Sequence, residues 1–182
     1  VSRETNLPLS WSEEQGQGIV WKTEIPEWGN STPVIWNDAI FITTQAEERL
    51  LVLRLDKTTG RIVWTREVGT ADTPRDAPRG QQKFHNLNNN ASPSVVTDGE
   101  HVVAHFGNGD LAVFNFDGEL LWKRNLQADY GKYTIWWGHA NSPVIVDSLV
   151  VSVCMQDSLA DLQEKPHPSY LVAHDLKTGK PV

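Results

Sequence analysis

Aromatic, amide and imidazole side chains gather just ahead of the Ser/Thr-Pro pairs in this sequence. The set consists of Trp28, Asn30, His85, Asn86, Asn90, Trp136, Trp137, His139 and Asn141. Aromatic faces stack on flat groups, and amides both donate and accept hydrogen bonds. The set therefore predicts a binding site for a polar ring-shaped ligand, and a sugar, a quinone or a peptide would suit it. Two structural alternatives stay open: Trp136 and Trp137 fill the gap between neighbouring repeat units, or the asparagines only form turns.

Catalytic and metal-binding patterns would be needed for an enzyme. The six histidines are dispersed, and His101 and His105, which face the same side of one predicted strand, show no carboxylate or cysteine partner. The carboxylates nearest the predicted site have no ligand spacing; they are Glu27, Asp72, Asp76 and Asp129. The sequence contains no Gly-x-Ser-x-Gly elbow and no phosphate-binding loop. It therefore predicts no catalytic residue and no metal site.

Composition narrows the classes of partner. The formal net charge is −7, with acidic and basic residues interspersed, whereas a nucleic-acid partner would require a clustered basic face. No stretch approaches the length of a transmembrane span. The one cysteine, Cys154, lies in an apolar run and is expected to be a buried, unreactive thiol. The composition therefore leaves a protein partner or a small polar ligand as the expected binding partner.

A short tryptophan phrase recurs in the chain. It occupies residues 19–25, 62–68 and 120–126, and each copy contains an apolar pair, a tryptophan, a polar triplet and an aliphatic residue. The tryptophans are Trp21, Trp64 and Trp122, and the last two follow Gly60 and Gly118 by four residues. A period of this size is typical of a repeat architecture.

The rest of each unit predicts short β-strands. A Ser/Thr-Pro pair, a β-branched run, an aspartate turn and two further apolar runs precede each glycine turn and tryptophan strand. Such runs, separated by Asp, Gly and Asn, predict antiparallel hairpins. Because the runs are almost continuously apolar, both faces of each sheet should be covered. Four-stranded sheets stacked on one another predict an all-β fold of the β-propeller type.

The glycine turns carry a family resemblance. Residues 54–64 and 173–182 resemble the Ala-x-Asp-x-x-Thr-Gly-x-x-x-Trp docking motif of the quinoprotein-like, or PQQ-like, repeat propellers. The matching residues are Asp56, Thr59, Gly60, Trp64, Asp175, Thr178 and Gly179. The resemblance implies that each tryptophan packs against the glycine turn of a neighbouring blade. The middle copy keeps Gly118 and Trp122 but lacks the threonine, so a weaker contact is expected there.

The resemblance also suggests how the chain is divided. Residues 1–18 are expected to be a lead-in segment and residues 19–182 part of a propeller. Within that part, residues 19–25 would be the last strand of a preceding blade, residues 30–68 and 89–126 two blades, and residues 139–182 an incomplete third. Three blades would be a fragment of a seven- or eight-bladed ring; alternatively, residues 19–25 complete the third blade in a dimer. Residues 4–12 are similar to the lead-in of exported planctomycete-type PQQ-like repeat proteins, which implies a periplasmic or otherwise exported location.

The loops favour one functional face. The longest connections precede the Ser/Thr-Pro strands or follow the second strand of the third unit, and in antiparallel blades these emerge on the same side. We therefore predict a non-catalytic binding or scaffold propeller with this loop-rich face toward a protein partner or a small polar ligand. The alternative is a segment of a PQQ- and Ca²⁺-dependent alcohol or sugar dehydrogenase. No cofactor is evident in the sequence, and PQQ with Ca²⁺ belongs only to that alternative.

Overall fold

The structure is a computed structural model that describes residues 5–71, 88–134, 138–156 and 168–182. It contains three antiparallel sheets whose strands pair in sequence order. Sheet 1 consists of β1 (Val34–Trp36), β2 (Ala39–Ala46), β3 (Arg49–Asp56) and β4 (Ile62–Thr70). Sheet 2 consists of β5 (Val96–Thr97), β6 (His101–His105), β7 (Asp110–Asn115) and β8 (Leu120–Asn125). The helix α1 (Leu126–Tyr130) follows, and sheet 3 consists of β9 (Val144–Val146), β10 (Leu149–Cys154) and β11 (Tyr170–Asp175).

Short turns set the register of the first hairpin in sheets 1 and 3. Val34 pairs with Phe41 across the turn of sheet 1, and the equivalent pair in sheet 3 is Val144 with Val151. Asn37 and Asp147 adopt φ angles of 53° and 52° in these turns. Asparagine and aspartate tolerate this left-handed backbone better than other non-glycine residues. The turn residues noted in the sequence therefore end the first strands where the structure ends them.

The sheets stack face to face. Phe41 and Val52 of sheet 1 share a buried cluster with Val102 and Phe114 of sheet 2. The opposite face of sheet 2 contributes Val103, Leu111 and Val113 to a second cluster that also holds Val150, Cys154 and Val172 of sheet 3. Strand β6 is buried along its whole length, as expected from its uninterrupted apolar pattern. Sheet 2 is thus the middle layer of a stack of three sheets.

Residues 19–25 cross the face of sheet 1 that points away from sheet 2. Ile25 packs there against the cluster of Leu51, Leu53 and Leu55. No strand in the described part of the chain pairs with residues 19–25, so the segment has no assigned strand despite its strand-like sequence. Of the helices in the described ranges, none is both long and apolar enough to cross a membrane.

Candidate functional site

One end of the sheets carries all the long connections, and we call it the upper face. The antiparallel strand order brings the segments after β2, β4, β6, β8 and β10 to this end. The opposite, lower face carries only tight turns, such as that between β1 and β2. Binding residues concentrate in loops that a rigid scaffold supports. The predicted site residues are therefore considered at the upper rim of the three sheets.

The rim between sheets 1 and 2 is a hydrogen-bonded frame around Trp28. Its carbonyl accepts bonds from the backbone N–H of Gln45 at 3.2 Å and from the Asn89 side-chain amide at 2.9 Å. The side-chain oxygen of Gln45 in turn accepts the backbone N–H of Asn90 at 3.0 Å. Trp28 remains 45% exposed. Its backbone is therefore bound to both sheets while its indole faces solvent.

Further bonds cross the same rim. The side-chain amide of Asn30 donates to the side-chain oxygen of Asn88 at 3.1 Å. Below it, the backbone N–H of Thr32 donates to the Ser94 hydroxyl at 2.8 Å, and the backbone N–H of Ser94 donates to the Ser142 hydroxyl at 2.9 Å. The residues of the recurring Ser/Thr-Pro elements thus link all three sheets beneath the rim.

The rim between sheets 2 and 3 contains a buried aromatic cluster. The Nε2 atom of His105 lies 3.1 Å from the Tyr133 hydroxyl, and its Nδ1 atom lies 3.3 Å from the carbonyl oxygen of Asn141. The ring of His139 stacks on Tyr133 with centroids 4.3 Å apart and meets His105 edge-on at 4.9 Å. All three side chains are fully buried. Two predicted rim residues, His139 and Asn141, are therefore held by two residues that the sequence did not place there.

Burial changes the acid–base properties of this cluster. Removal from water and, to a smaller extent, the nearby imidazole of His139 lower the pKa of His105 to about 3. The same desolvation lowers the pKa of His139 to about 4 and raises the pKa of Tyr133. Burial disfavours the charged form of each group. The cluster is therefore neutral at physiological pH.

Four residues of the predicted site, His85, Asn86, Trp136 and Trp137, lie outside the described residues. Among those described, Trp28, Asn30, Asn90, His139 and Asn141 all lie at the upper ends of the sheets. The first three belong to the rim between sheets 1 and 2, and the last two to the rim between sheets 2 and 3.

The side chain of Asn89 bonds to the backbone of Trp28 and Ala91, whereas that of Asn90 does not use its oxygen. Its Oδ1 atom is buried without a hydrogen-bond partner. A Cβ atom on Gly107 would lie 3.2 Å from this oxygen and 3.2 Å from the carbonyl oxygen of His139. A buried polar atom without a partner costs free energy, so the folded state gains nothing from this carboxamide oxygen.

A matched pair of substitutions separates the two roles. Asn89→Ala should lower the free energy of unfolding by about 1–3 kcal/mol, because it leaves the Trp28 carbonyl and the buried Ala91 N–H without their side-chain partner. Asn90→Ala should lower it by less than Asn89→Ala does, because the Asn90 Oδ1 atom has no hydrogen bond to lose. Urea unfolding followed by circular dichroism measures both. Equal losses would show that the Asn90 side chain has a structural use.

The tryptophan phrases make one repeated contact at the outer edge of the sheets. In each contact the indole Nε1 atom donates to a backbone carbonyl. Trp21 donates to Lys57 at 2.9 Å. Trp64 donates to Phe116 at 2.9 Å, and Trp122 donates to Leu176 at 2.8 Å. Each indole also covers the glycine of the facing turn. A Cβ atom on Gly60, Gly118 or Gly179 would lie 2.5, 3.0 and 2.6 Å from the nearest indole carbon. Each contact therefore joins two residues that are more than 30 positions apart in the sequence.

The residue two places after each tryptophan strengthens this contact. Thr23, Arg66 and Arg124 donate to the carbonyls of Gly60, Gly118 and Gly179 at 2.6, 2.6 and 3.1 Å. The polar triplet in the sequence phrase thus contains a specific donor. We did not predict its role, because the three residue types share only the ability to donate a hydrogen bond.

The middle turn compensates for its missing threonine. In the first turn, the Asp56 carboxylate accepts the backbone N–H and the hydroxyl of Thr59. In the middle turn, the Asn115 side-chain oxygen accepts the backbone N–H groups of Asp117 and Glu119 at 3.0 and 2.9 Å. The indole bond to this turn is as long as that to the first. An asparagine therefore orders the turn by a different set of bonds.

A β-bulge precedes two of the tryptophans. Arg54 pairs with Trp64 but Leu55 pairs with Ile62, which leaves Val63 unpaired. Leu121 is unpaired in the same way before Trp122. A bulge turns the following side chain relative to the sheet. The unpaired residues Val63 and Leu121 remain 46% and 44% exposed.

Other predicted groups have structural partners. The sequence offered no carboxylate for His101, but its Nδ1 atom lies 2.9 Å from Asp98 at the lower face, so that expectation was wrong. Burial raises the pKa of Cys154 to about 11, and the thiol is fully buried. In the part of the chain that the structure describes, no three His, Cys, Asp or Glu side chains are grouped to hold a metal ion.

Comparisons with known proteins place this geometry among solved folds. A family model described as the outer membrane protein assembly factor BamB matches residues 3–181. A search of curated proteins gives no match. This chain is 19% identical to the quinohemoprotein alcohol dehydrogenase ADHIIG from Pseudomonas putida HK5, with a TM-score of 0.58. The match covers 88% of this chain and 21% of the dehydrogenase chain.

Two further structures are similar. BamB from Moraxella catarrhalis is 18% identical over 91% of this chain and 42% of its own, with a TM-score of 0.55. The quinohemoprotein alcohol dehydrogenase from Comamonas testosteroni is 16% identical over 86% of this chain and 20% of its own, also with a TM-score of 0.55. The chain therefore spans between a fifth and about two fifths of these structures. Likeness at this level of identity concerns the fold alone.

Proposed function

This chain belongs to the PQQ-like repeat family that includes the outer membrane protein assembly factor BamB, and from that premise we propose that it is a non-catalytic binding scaffold. Its fold is part of a β-propeller, which confirms the fold class predicted from the repeats. In this proposal the upper face binds a protein partner or a small polar ligand. Trp28, Asn30 and Asn141, which are exposed, would contribute to that surface directly, and the buried Asn90 and His139 would support it from beneath.

One observation supports this proposal most directly. Trp28 leaves nearly half of its surface in solvent, although its backbone is fixed by hydrogen bonds from Gln45 and Asn89. A rigid, exposed indole is a common anchor of binding surfaces, because little conformational entropy is lost when a partner covers it.

The buried imidazoles favour a binding role over acid–base catalysis. Both ring nitrogens of His105 are engaged inside the cluster, and Nε2 of His139 bonds to the carbonyl of Val153 at 3.2 Å. A general base must reach the proton that it abstracts. These two histidines instead position the rim. BamB is named an outer membrane protein assembly factor, which makes a protein partner the first choice for this chain, and a periplasmic or otherwise exported location is part of the same proposal.

The alternative is a segment of a PQQ- and Ca²⁺-dependent alcohol or sugar dehydrogenase. The structural similarity to the Pseudomonas putida quinohemoprotein dehydrogenase favours it. The described rim residues do not fit such a cofactor, because no three His, Cys, Asp or Glu side chains among them are grouped, so the asparagine amides lack the carboxylates that usually accompany them around Ca²⁺. We therefore derive no catalytic step from this chain.

A titration and one exposed indole test the proposal. In the intact protein, PQQ with Ca²⁺ should give no saturable heat or absorbance change, and Trp28→Ala should weaken binding of a purified partner or ligand by about 10–100-fold, as loss of an aromatic anchor does. Calorimetry measures both. Leu120→Ala, which removes a side chain 55% exposed at the lower end of β8, is the control and should bind normally.

The outcomes distinguish the two functions. Saturable PQQ binding that depends on Ca²⁺ would contradict the scaffold proposal and favour the dehydrogenase. Equal weakening by Trp28→Ala and Leu120→Ala would show that the upper face is not the binding surface.

A further inference from the structure

The buried cluster of His105, Tyr133 and His139 joins three separate elements at the upper rim. His105 ends β6 of sheet 2, Tyr133 follows α1, and His139 enters sheet 3. The contacts are a 3.1 Å hydrogen bond, a 4.3 Å ring stack and a 4.9 Å edge contact. The rim between sheets 2 and 3 therefore depends on these side chains remaining together.

Hydrogen-bond partners fix one proton on each imidazole. Because a carbonyl only accepts, Nδ1 of His105 donates to Asn141, and its Nε2 atom accepts the Tyr133 hydroxyl. By the same argument, Nε2 of His139 donates to Val153, and its Nδ1 atom is an acceptor that is buried without a partner. A second proton on His139 would have no acceptor, and a second proton on His105 would take the place of the Tyr133 donor. The arrangement is complete only when both rings are neutral.

The surroundings offer no compensation for positive charge. The other titratable groups acting on the cluster are Cys154 on β10 and Tyr170 on β11, both through Tyr133. Burial raises the pKa of the Cys154 thiol and of the Tyr170 phenol, so both are neutral. No carboxylate in the described residues is among the groups that shift His105 or His139. Two imidazolium rings 4.9 Å apart would also repel each other.

We propose that protonation of His105 and His139 opens the upper rim between sheets 2 and 3, so that this part of the binding face is formed at neutral pH and lost in acid. This inference rests on the proposed function of that face. The affected rim residues are His139 itself and Asn141, whose carbonyl is bound by His105. The regulated event is local, because the hydrogen bonds of Trp28 and Asn89 lie on the other side of sheet 2.

The direction follows from the two protonation equilibria. In the closed rim the pKa of His105 is about 3 and that of His139 about 4, whereas exposed histidine titrates near pH 6.5. The open form therefore takes up protons as the pH falls below about 6.5, and the closed form does not until about pH 4. Linkage then increases the open population by on the order of 20-fold for each histidine between pH 7 and pH 5, or several hundred-fold for both.

Hydrogen exchange measures the opening without any ligand. In the intact protein, peptides covering residues 126–134 and 138–144 should show this several hundred-fold increase in opening between pH 7 and pH 5, after correction for the intrinsic pH dependence of exchange. Peptides from sheet 1 should not. No excess exchange in acid at the rim would overturn the proposal.

Variants assign the effect to the two rings. His139→Gln keeps a donor toward Val153 and His105→Asn keeps one toward Asn141, and each should reduce the pH 5 to pH 7 ratio to about 20-fold, with the double variant near unity. His101→Gln at the lower face is the matched control and should behave as the wild type. A wild-type ratio in the double variant would overturn the proposal. Binding of a partner at the upper face that does not change with pH would contradict the proposed pH control. Opening of the rim in acid without binding of any partner would contradict only the proposed function.

Discussion

Trp64→Ala is expected to lower the free energy of unfolding by about 3–5 kcal/mol, as large-to-small substitutions of buried aromatics do. Trp64 is 7% exposed and lies with its ring centroid 6.0 Å from Phe41 and 6.3 Å from Phe114. Its Nε1 donor would also be lost from the Phe116 carbonyl. Urea unfolding monitored by far-ultraviolet circular dichroism measures the loss.

Two variants locate the cause. Trp28→Ala removes an indole that is 45% exposed and should cost less than about 1 kcal/mol. Gly118→Ala should resemble Trp64→Ala in direction, since its φ of 80° disfavours alanine and its Cβ would lie 3.0 Å from the Trp64 ring. If Trp64→Ala cost no more than Trp28→Ala, the tryptophan–glycine contact would contribute nothing to stability.

The fold class could be predicted because the repeats state the same pattern several times. β-Branched runs, aspartate turns and glycine turns agreed from one unit to the next, and all three sheets follow that order. The expectation of a weaker contact at the middle turn, which rested on the missing threonine, stays a prediction. In the structure the Asn115 side-chain oxygen accepts hydrogen bonds from the backbone N–H groups of Asp117 and Glu119 instead. The motif does not include this position, so the replacement could not be recognised from the motif alone.

The candidate site was predictable only in part. Residues just before the Ser/Thr-Pro pairs could be assigned to the upper rim because strand direction alternates. Tyr133 and Gln45 could not, since their partners, His105 for the first and Asn90 for the second, are 28 and 45 residues away along the chain. No local period connects such positions. The packing of sheet against sheet, which only the three-dimensional structure contains, brings them together.

Asp110→Leu is expected to cost about 2–3 kcal/mol, because it removes a buried carboxylate that accepts two amides and pairs with Lys123. The Asp110 carboxylate accepts the amides of Asn108 and Asn125 at 2.9 and 3.1 Å and lies 3.3 Å from the ammonium of Lys123. Its side chain is only 7% exposed. A Cβ atom on Gly69 would collide with the same carboxylate, so the end of β4 approaches it directly. Urea unfolding at neutral pH measures the change.

A surface ion pair supplies the control for this substitution. Arg124 and Asp129 are 2.7 Å apart with side chains about 30% exposed, and Asp129→Asn should cost less than about 1 kcal/mol, since such pairs contribute little. Replacing Lys123 by Met together with Asp110→Leu should recover part of the loss, because the cation is removed with its anion. A loss for Asp110→Leu no larger than that for Asp129→Asn would show that the network does not hold the upper ends of sheets 1 and 2 together. The loss without recovery in the double variant would assign the stability to the amide bonds of Asn108 and Asn125 rather than to the charge pair.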